Sequence, residues 1–285
     1  MLLALNVGVK RSLMLALVVA CWVLPLQCAT LERLSLDDII TRSTSIVRGK
    51  VAESWAAFTG SVIYTHYKIQ VSETFNGKTK NVEGLTYATQ ENSYLVGCLA
   101  GLMVKKQGGD QIIGVVGGVQ IPPVDSFLAG YKAGAKACNS KIKILKGYSQ
   151  DFLDQAKCKT VAQNQIDAGS QVEFNVAGPC GLGTLGAAND AGIWGIGVDV
   201  DQYALHPAHM LTSAVKRVDT GVYLAIKGAE NGTFAGGKNL AFNLKNGGVA
   251  VGKVNPNVPA AFIKQINALR VKIVAGKIKP PAKLG

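Results

Sequence analysis

The sequence predicts an α/β protein built around a parallel sheet with helices on both faces, and two observations predict it. From residue 81 onward, short apolar segments alternate with longer segments whose apolar residues recur at helical spacing. This alternation is typical of βαβ units, in which crossover helices cover a parallel sheet. Before residue 81 the pattern differs, because SVIYTHYKIQVSETF (61–75) alternates apolar and polar residues with period two and predicts a half-buried hairpin.

The predicted elements of residues 81–285 follow in order. VEGLTYAT predicts a strand, and ENSYLVGCLAGLMVKK predicts a helix that places Tyr94, Leu95, Cys98, Leu99 and Leu102 on one face. Later strands are predicted over QIIGVVGG, KIKILKGYS, QVEFNVAG, WGIGVDV and MLTSAVK. Later helices are predicted over VDSFLAGYKAGAKAC, DFLDQAKCKTVAQNQIDAG, GLGTLGAANDAG, VDTGVYLAIKGAENG and PAAFIKQINALRVKIVAG.

The N-terminus is typical of an export signal. Lys10 and Arg11 precede the apolar run SLMLALVVACWVLPLQC, which predicts a signal peptide over residues 1–28. Two processing sites are open: cleavage near Cys28 or Ala29, or a lipobox-like VVAC sequence in which Cys21 is lipidated. Either way the protein is predicted to be exported, to the periplasm or the outer face of the plasma membrane. No later segment has the length of a membrane-spanning helix.

Composition and charge narrow the class of protein. The chain of 285 residues is 48% hydrophobic and 17% charged, which is typical of a folded protein with a sizeable core. The net charge of +12 suits an anionic membrane surface. Nucleic-acid binding is disfavoured, because no segment interleaves arginines with aromatic residues.

The cysteines and histidines give no metal-site spacing. Four cysteines follow the signal region without a CxxC pair, and the chain has three histidines, so no zinc site is predicted. Cys158 and Cys180 are predicted near the same edge of the sheet, because each lies just beyond a strand in neighbouring βαβ units. In an exported protein they are candidates for a disulfide, the alternative being two small buried residues. Cys98 and Cys138, on apolar helix faces, are expected to be free.

Two further motifs point to ligands. The apolar strand of GIGVDVDQ ends on Asp199 and Asp201, and Lys216 ends the next predicted strand. The segment GPCGLGTLG (178–186) contains a GxGxxG pattern at Gly181, and Asp199 follows at about the distance seen in dinucleotide-binding proteins. An oxidoreductase is therefore an alternative, although several βα units precede this motif and no proton donor for hydride chemistry is evident near it.

Several segments in order resemble the basic membrane protein family, the substrate-binding proteins of ABC importers that include purine nucleoside receptors. They are TYATQENSYLVGCLAGLM, IGVVGGVQIPPVDSFLAGYKAGAKA, GYSQDFLDQAKCK, VAGPCGLG, GIGVDVDQ and MLTSAVKRVD, and the resemblance covers residues 81–285. It implies a type I periplasmic-binding-protein fold with two Rossmann-like lobes. It also implies nucleoside capture and delivery to a membrane permease, with no enzymatic chemistry and no cofactor.

The resemblance also assigns ligand-binding residues. Asp199 and Lys216 match the positions that hold the ribose hydroxyls, and a carboxylate and an ammonium group suit this role as acceptor and donor. Gly178 lies where the family's backbone approaches the sugar, and Gly181 belongs to the same turn. Asp201 is expected to cap the following segment.

Three further candidates lie in the first half of the resembling region. Gln90, Glu91 and Asp125 follow strands assigned to lobe 1 and are candidates for contacts with the base.

The sequence departs from the family before residue 81. Family members carry about a hundred further residues there, so lobe 2 is expected to be complete and lobe 1 truncated. Residues 29–80 instead predict a short α+β segment of other origin, with Ser35 as the N-cap of a helix before the hairpin. A secreted fusion protein without a ligand is therefore a third possibility.

Overall fold

The computed structural model describes residues 46–59, 62–76 and 83–284. The predicted signal peptide, Cys21 and the helix after Ser35 lie outside these residues. Contacts within the chain divide it into two units, residues 1–77 and 78–285.

The described part of the first unit is a two-stranded antiparallel hairpin. Strand β1 (Ile46–Thr59) pairs with β2 (Val62–Asn76), and the pairing runs from Thr59 opposite Val62 to Ile46 opposite Asn76. The register shifts at three places along β1, so the ladder is irregular. The period-two pattern of residues 61–75 therefore corresponds to a paired strand.

The second unit contains eight strands and six helices among its described residues. The strands are β3 (Gly84–Tyr87), β4 (Ile112–Gly117), β5 (Lys143–Tyr148), β6 (Ser170–Val176), β7 (Trp194–Asp199), β8 (Met210–Lys216), β9 (Asn239–Phe242) and β10 (Val249–Val251). The helices are α1 (Thr89–Gln107), α2 (Pro122–Cys138), α3 (Gln155–Asp167), α4 (Gly181–Asp190), α5 (Val218–Glu230) and α6 (Ala260–Val274).

Six of these strands form the larger sheet, in the order β10-β8-β7-β6-β4-β5. The pairs from β5 to β8 are parallel, as the apolar strands of the sequence predict. The edge strand β10 is antiparallel to β8, so the sheet is mixed rather than wholly parallel. All six residues of β4 are buried, because helices cover both faces of the sheet.

Helices α1 and α2 pack against each other at short range. Glycines make this possible, because a side chain on Gly97 would collide with the Tyr131 backbone and one on Gly134 with the Tyr94 backbone. The close approach brings Cys98 and Cys138 to a Cα–Cα distance of 5.2 Å, and they form a disulfide. The expectation that these two cysteines are free is therefore wrong.

The smaller sheet consists of β3 and β9, which pair in parallel. Tyr87 and Phe242 at its end stack with ring centroids 4.9 Å apart. Helix α5 contacts this sheet through Gly221, where a side chain would collide with the Tyr87 hydroxyl. Together with α5, the smaller sheet forms a group of elements apart from the larger sheet.

The structure also corrects the lobe to which α1 and α2 belong. Both helices pack around the larger sheet, and β4, which joins them, pairs with β5 and β6 of that sheet. The two helices therefore belong with the larger sheet and not with the smaller sheet of β3 and β9, unlike the expectation that placed them in lobe 1.

The chain crosses between the two sheets three times. The crossings follow β3 at Ala88, β8 at Arg217 and β9 at Asn243. They are hydrogen-bonded to one another and to the strands beside them, since Ala88 N donates to Phe242 O and Arg217 N donates to Gly248 O. None of the helices in the described part of the chain is long and apolar enough to cross a membrane.

Candidate functional site

Asp199 and Lys216 meet at the carboxyl edge of the larger sheet. They are the last residues of the adjacent parallel strands β7 and β8, and Asp199 Oδ1 lies 3.0 Å from Lys216 Nζ. Asp199 has a φ of 63°, a left-handed conformation that aspartate tolerates better than most residues and that turns the chain away from the strand. Apart from this ion pair, Asp199 Oδ1 is buried without a hydrogen-bond donor in the described part of the chain.

A cleft opens beside this pair. Its inner cavity, of about 200 Å³, includes Asp199, Lys216 and Gly178 in its lining. Its outer cavity, of about 450 Å³, lies towards β3. Lys216, Pro123 and Phe127 line both cavities, so the two are parts of one cleft. The carboxyl ends of parallel strands are the usual place for ligands in open α/β sheets, and the cleft lies there.

Aromatic rings and hydroxyl groups supply the rest of the lining. Phe152 and Phe127 face the inner cavity, and Tyr87 faces the outer one. Thr89 Oγ1 donates to Ser126 Oγ at 3.2 Å, which joins the N-terminal parts of α1 and α2 at the wall of the outer cavity. The cleft thus combines an ion pair at one end with apolar and hydroxyl-bearing walls, a composition that suits a ligand with a flat ring and a polar end.

Gly178 and the turn around it are held by a disulfide. Gly178 has a φ of 56°, which glycine adopts without strain, and it begins a 3₁₀ turn over Gly178–Cys180. Cys180 is bonded to Cys158 in the first turn of α3, with the two Cα atoms 5.6 Å apart. This is the pair that the sequence predicts, and it fixes the turn to the helix behind it.

Gly181 has a different environment from the one expected. It does not line either cavity of the cleft, and a side chain on it would collide with the Asn175 amide. Asn175 Oδ1 accepts a hydrogen bond from Ala177 N at 3.0 Å, so Gly181 makes room for the side chain that shapes the turn.

Gln90, Glu91 and Asp125 are brought near the cleft but are occupied by protein contacts. Gln90 Oε1 accepts from Ser126 Oγ at 3.1 Å, and Glu91 Oε2 accepts from Leu244 N at 2.8 Å, just after β9. Asp125 accepts from the Tyr148 hydroxyl, which together with burial raises the pKa of Tyr148 above its usual range. None of the three lines either cavity.

Asp201 supports the end of β7 rather than the cleft. Its Oδ1 accepts from Tyr203 N at 3.2 Å and its Oδ2 from Lys253 N at 2.9 Å, which is the capping role expected for it. Next to it, Gln202 Oε1 accepts from Val198 N at 2.9 Å. These contacts hold in place the strand that presents Asp199.

The glycine pattern of residues 181–186 serves helix packing. A side chain on Gly183 would collide with the Gln155 carbonyl of α3, and nothing lies close to Gly186. Gly183 therefore lets α4 pack closely against α3. Within the described residues no group of three or more histidine, cysteine or acidic side chains is placed to hold a metal ion.

The cleft residues that sequence reasoning missed are Phe152, Phe127, Tyr87, Ser126 and Thr89. The three rings look like ordinary core residues in the sequence, and only the folded cleft distinguishes them. Ser126 and Thr89 carried a weak signal, because each lies near the start of a helix that follows a strand.

Comparison with known families gives a match over most of the chain. The family model described as "ABC transporter substrate-binding protein PnrA-like" matches residues 53–283. This match begins within β1, and so earlier than the resemblance over residues 81–285.

Curated relatives agree with this family. A Lactococcus lactis protein named "ABC transporter nucleoside-binding protein BmpA" is 34% identical over 221 residues, which are 72% of this chain and 61% of the relative. Basic membrane protein D of Borreliella burgdorferi is 36% identical over 208 residues, 71% of this chain and 60% of the relative. The match thus spans about three-fifths of the length of these relatives.

Solved structures share the fold. A solute-binding protein of an ABC transporter system from Aeropyrum pernix K1 superimposes with a TM-score of 0.65 at 26% identity, covering 71% of this chain and 67% of that chain. A second, from Conexibacter woesei DSM 14684, gives a TM-score of 0.56 at 26% identity, with 71% and 66% covered. The chain therefore has the periplasmic-binding-protein fold and belongs to the Bmp family of PnrA-like ABC transporter substrate-binding proteins.

Proposed function

We propose that this protein is the solute-binding component of an ABC importer, that it captures a nucleoside-like ligand in the cleft and that it delivers the ligand to a membrane permease. The observation that carries the proposal is the Asp199–Lys216 pair, with a separation of 3.0 Å, at the edge of a cleft lined by aromatic rings. Family membership supports the solute-binding role. The name of the Lactococcus lactis relative supports the nucleoside as ligand.

The chemistry of the pair fits a ribose. The Asp199 side chain is partly exposed, and beyond the contact of its Oδ1 with Lys216 its carboxylate has acceptor capacity left, so it can accept from a hydroxyl of the ligand. Lys216 Nζ has donors left beyond its contact with Asp199, and it can donate to a second hydroxyl while offsetting the carboxylate charge. Two vicinal hydroxyls would satisfy both groups at once. The base would then lie against the rings of Phe152 and Phe127 in the inner cavity.

The ligand leaves the protein unchanged in this proposal. The protein is exported to the periplasm or the outer face of the plasma membrane, either as a soluble protein or with a lipid on Cys21. Its partners are the ligand and the permease.

Calorimetric titration of the full chain with inosine, guanosine and adenosine tests the proposal. Hypoxanthine and 2′,3′-dideoxyinosine serve as matched probes, because the first lacks the sugar and the second lacks the vicinal hydroxyls. We expect ribonucleosides to bind and the dideoxynucleoside to bind at least about tenfold more weakly. Without the two vicinal hydroxyls, the carboxylate and the ammonium group of the site are left without partners in the ligand. Absence of heat with every ribonucleoside, from protein whose fold is verified by circular dichroism, would contradict the proposal.

A further inference from the structure

The positive charge of the chain is concentrated at its C-terminal end. Residues 231–285 contain nine lysine and arginine residues and no aspartate or glutamate, whereas residues 83–230 contain twelve basic and thirteen acidic residues. All nine basic residues of the C-terminal segment are exposed. The segment therefore presents positive charge to solvent, while the region before it is close to neutral.

Helix α6 carries part of this charge beside exposed apolar residues. Ile266 and Ile273 are buried and mark the inner face of the helix. Lys264, Ala268 and Val271 follow at spacings of four and three on the opposite face. Val271 is 68% exposed and Val274 is 39% exposed. The outer face thus combines valine side chains with cations.

A groove extends this face. It has a volume of about 630 Å³ and lies between α6 and the turn after β9. Lys245 and Arg270 lie in its lining with Leu244, Val271, Val274, Asn267 and Ala275, and no carboxylate lines it. Among residues 83–284 neither cation forms an ion pair. The groove therefore offers positive charge without an internal counter-ion.

From this geometry we infer that the outer face of α6 and the groove beside it form a docking surface for an anionic lipid bilayer. Cations without counter-ions attract acidic headgroups, and exposed valines between them can enter the interface, as in helices that lie on membranes. The positive charges are spread along a helix and an open groove rather than gathered in one pocket, which suits a surface of headgroups better than a single small anion. This docking is independent of the ligand proposed for the cleft.

Cosedimentation of the full chain with vesicles tests the inference. Vesicles of phosphatidylglycerol and phosphatidylcholine are compared with vesicles of phosphatidylcholine alone, at low and high salt. We expect binding to the anionic vesicles that weakens as salt rises. The double variant Lys245→Glu/Lys272→Glu changes one cation of the groove and the exposed cation in the last turn of α6. It should reduce this binding at least about tenfold, because each cation near the surface contributes to the attraction.

A matched control has the same change in net charge. Lys105→Glu/Lys106→Glu alters two exposed lysines at the end of α1, and we expect it to retain most of the binding. A second pair compares Val271→Ser with Leu153→Ser, whose native side chains are 68% and 63% exposed, and only the first should weaken binding. The N-terminal segment is present in all variants, so its own affinity for lipid cancels in the comparison.

Three results would overturn the inference. One is equal loss of binding in the two double variants, which would indicate attraction by overall charge. Another is wild-type protein that does not distinguish anionic from neutral vesicles at low salt. The third is tight binding of polyglutamate without binding of anionic vesicles, which would assign the surface to an acidic protein. The Lys245→Glu/Lys272→Glu variant should bind nucleosides with the affinity of the wild type. A wrong inference about lipid docking is therefore distinguishable from a wrong proposal about the nucleoside ligand.

Discussion

The carboxyl edge of the larger sheet and its interior each contain a carboxylate, in opposite environments. Asp199 ends β7 beside the ammonium group of Lys216 and faces a cleft. Glu173, on the neighbouring strand β6, is fully buried, and neither of its carboxylate oxygens has a hydrogen-bond partner in the described part of the chain. Two groups of the same chemistry thus lie in opposite environments, one at the edge of a cleft and one in the core.

The interior site is shaped around Glu173. Its strand neighbours are Gly114 and Gly195, and a side chain on Gly114 would collide with both Glu173 Oε1 and Gln165 Oε1. Burial raises the pKa of Glu173 to about 8, against a weaker opposing influence of the Ser170 hydroxyl. That hydroxyl donates to Val172 O rather than to Glu173. Glu173 is therefore neutral at pH 7, and Gln165 Oε1, which lies close to the same Gly114 position, is likewise buried without a partner among the described residues.

The two carboxylates differ in their surroundings, because Asp199 lies at a strand end and Glu173 in the interior of the same sheet. At the cleft, Asp199 is partly exposed and its carboxylate lies beside the ammonium group of Lys216. In the interior, absence of water and of a cation favours the protonated form of Glu173. The strand ends are thus the part of this sheet where a charged ligand contact is tolerated.

The largest expected effect concerns pH and Glu173. In the unfolded chain the group ionises above pH 4.5, whereas in the folded protein it stays protonated up to about pH 8. The contribution of protonated Glu173 to the free energy of unfolding is therefore fully present below pH 4.5 and is lost as pH rises through about 8. The free energy of unfolding should fall on the order of 5 kcal/mol across this window. Urea unfolding at several pH values measures it.

The variant Glu173→Gln sharpens this test. The amide keeps the shape of the side chain but cannot ionise, so the fall in stability between pH 4.5 and about 8 should shrink relative to the wild type. Identical pH dependence of the two proteins would show that Glu173 is already ionised in the folded state.

The two disulfides give the next largest effect: one joins the helices α1 and α2, and the other holds the turn at the cleft. The interior bond Cys98–Cys138 closes a sequence separation of 40 and the cleft bond Cys158–Cys180 one of 22. Replacing each pair by alanine should lower the free energy of unfolding by about 4 and about 3 kcal/mol respectively in the chain-entropy model. Only the loss of Cys158–Cys180 should also weaken ligand binding, because that bond holds the Gly178 turn. If both variants bind the ligand with the same affinity, the Gly178 turn does not contribute to ligand binding.

The smallest expected effect is on affinity at the cleft edge. Asp199→Ala and Lys216→Ala should each weaken nucleoside binding by roughly 2–3 kcal/mol, the lower part of the range for a lost charged partner, since both side chains are partly exposed. Asp190→Ala is the matched control, because it removes an exposed ion pair with Lys159 away from the cleft. A variant at 199 or 216 that binds as well as the control would remove that residue from the site.

Sequence reasoning predicted the long elements and the central pair of the site. Asp199 and Lys216 follow apolar strands with clear periodicity, and parallel strands necessarily end at one edge. Strands β9 and β10, of four and three residues, were missed because so few residues show no period. The Cys98–Cys138 bond was missed although Gly97 and Gly101, with Gly130 and Gly134, repeat at a spacing of four and indicate two helices in close contact.

The rings of the cleft could not be predicted for a different reason. Phe152 and Phe127 are apolar residues in a chain that is nearly half apolar, and only tertiary packing brings them together. Gln90, Glu91 and Asp125 illustrate the converse: polar residues near a strand end can be satisfied by Ser126, Leu244 and Tyr148 instead of by a ligand.

The three crossings between the sheets have a mechanical consequence. A single connecting segment would let the smaller sheet swing in any direction, whereas three segments that are bonded to one another restrict it to bending about one axis. The Glu91–Leu244 hydrogen bond, at 2.8 Å, clamps the first crossing to the third, so neither can twist alone. We therefore expect the two walls of the outer cavity, Tyr87 on one side and Phe127 on the other, to approach or separate by bending about these three segments.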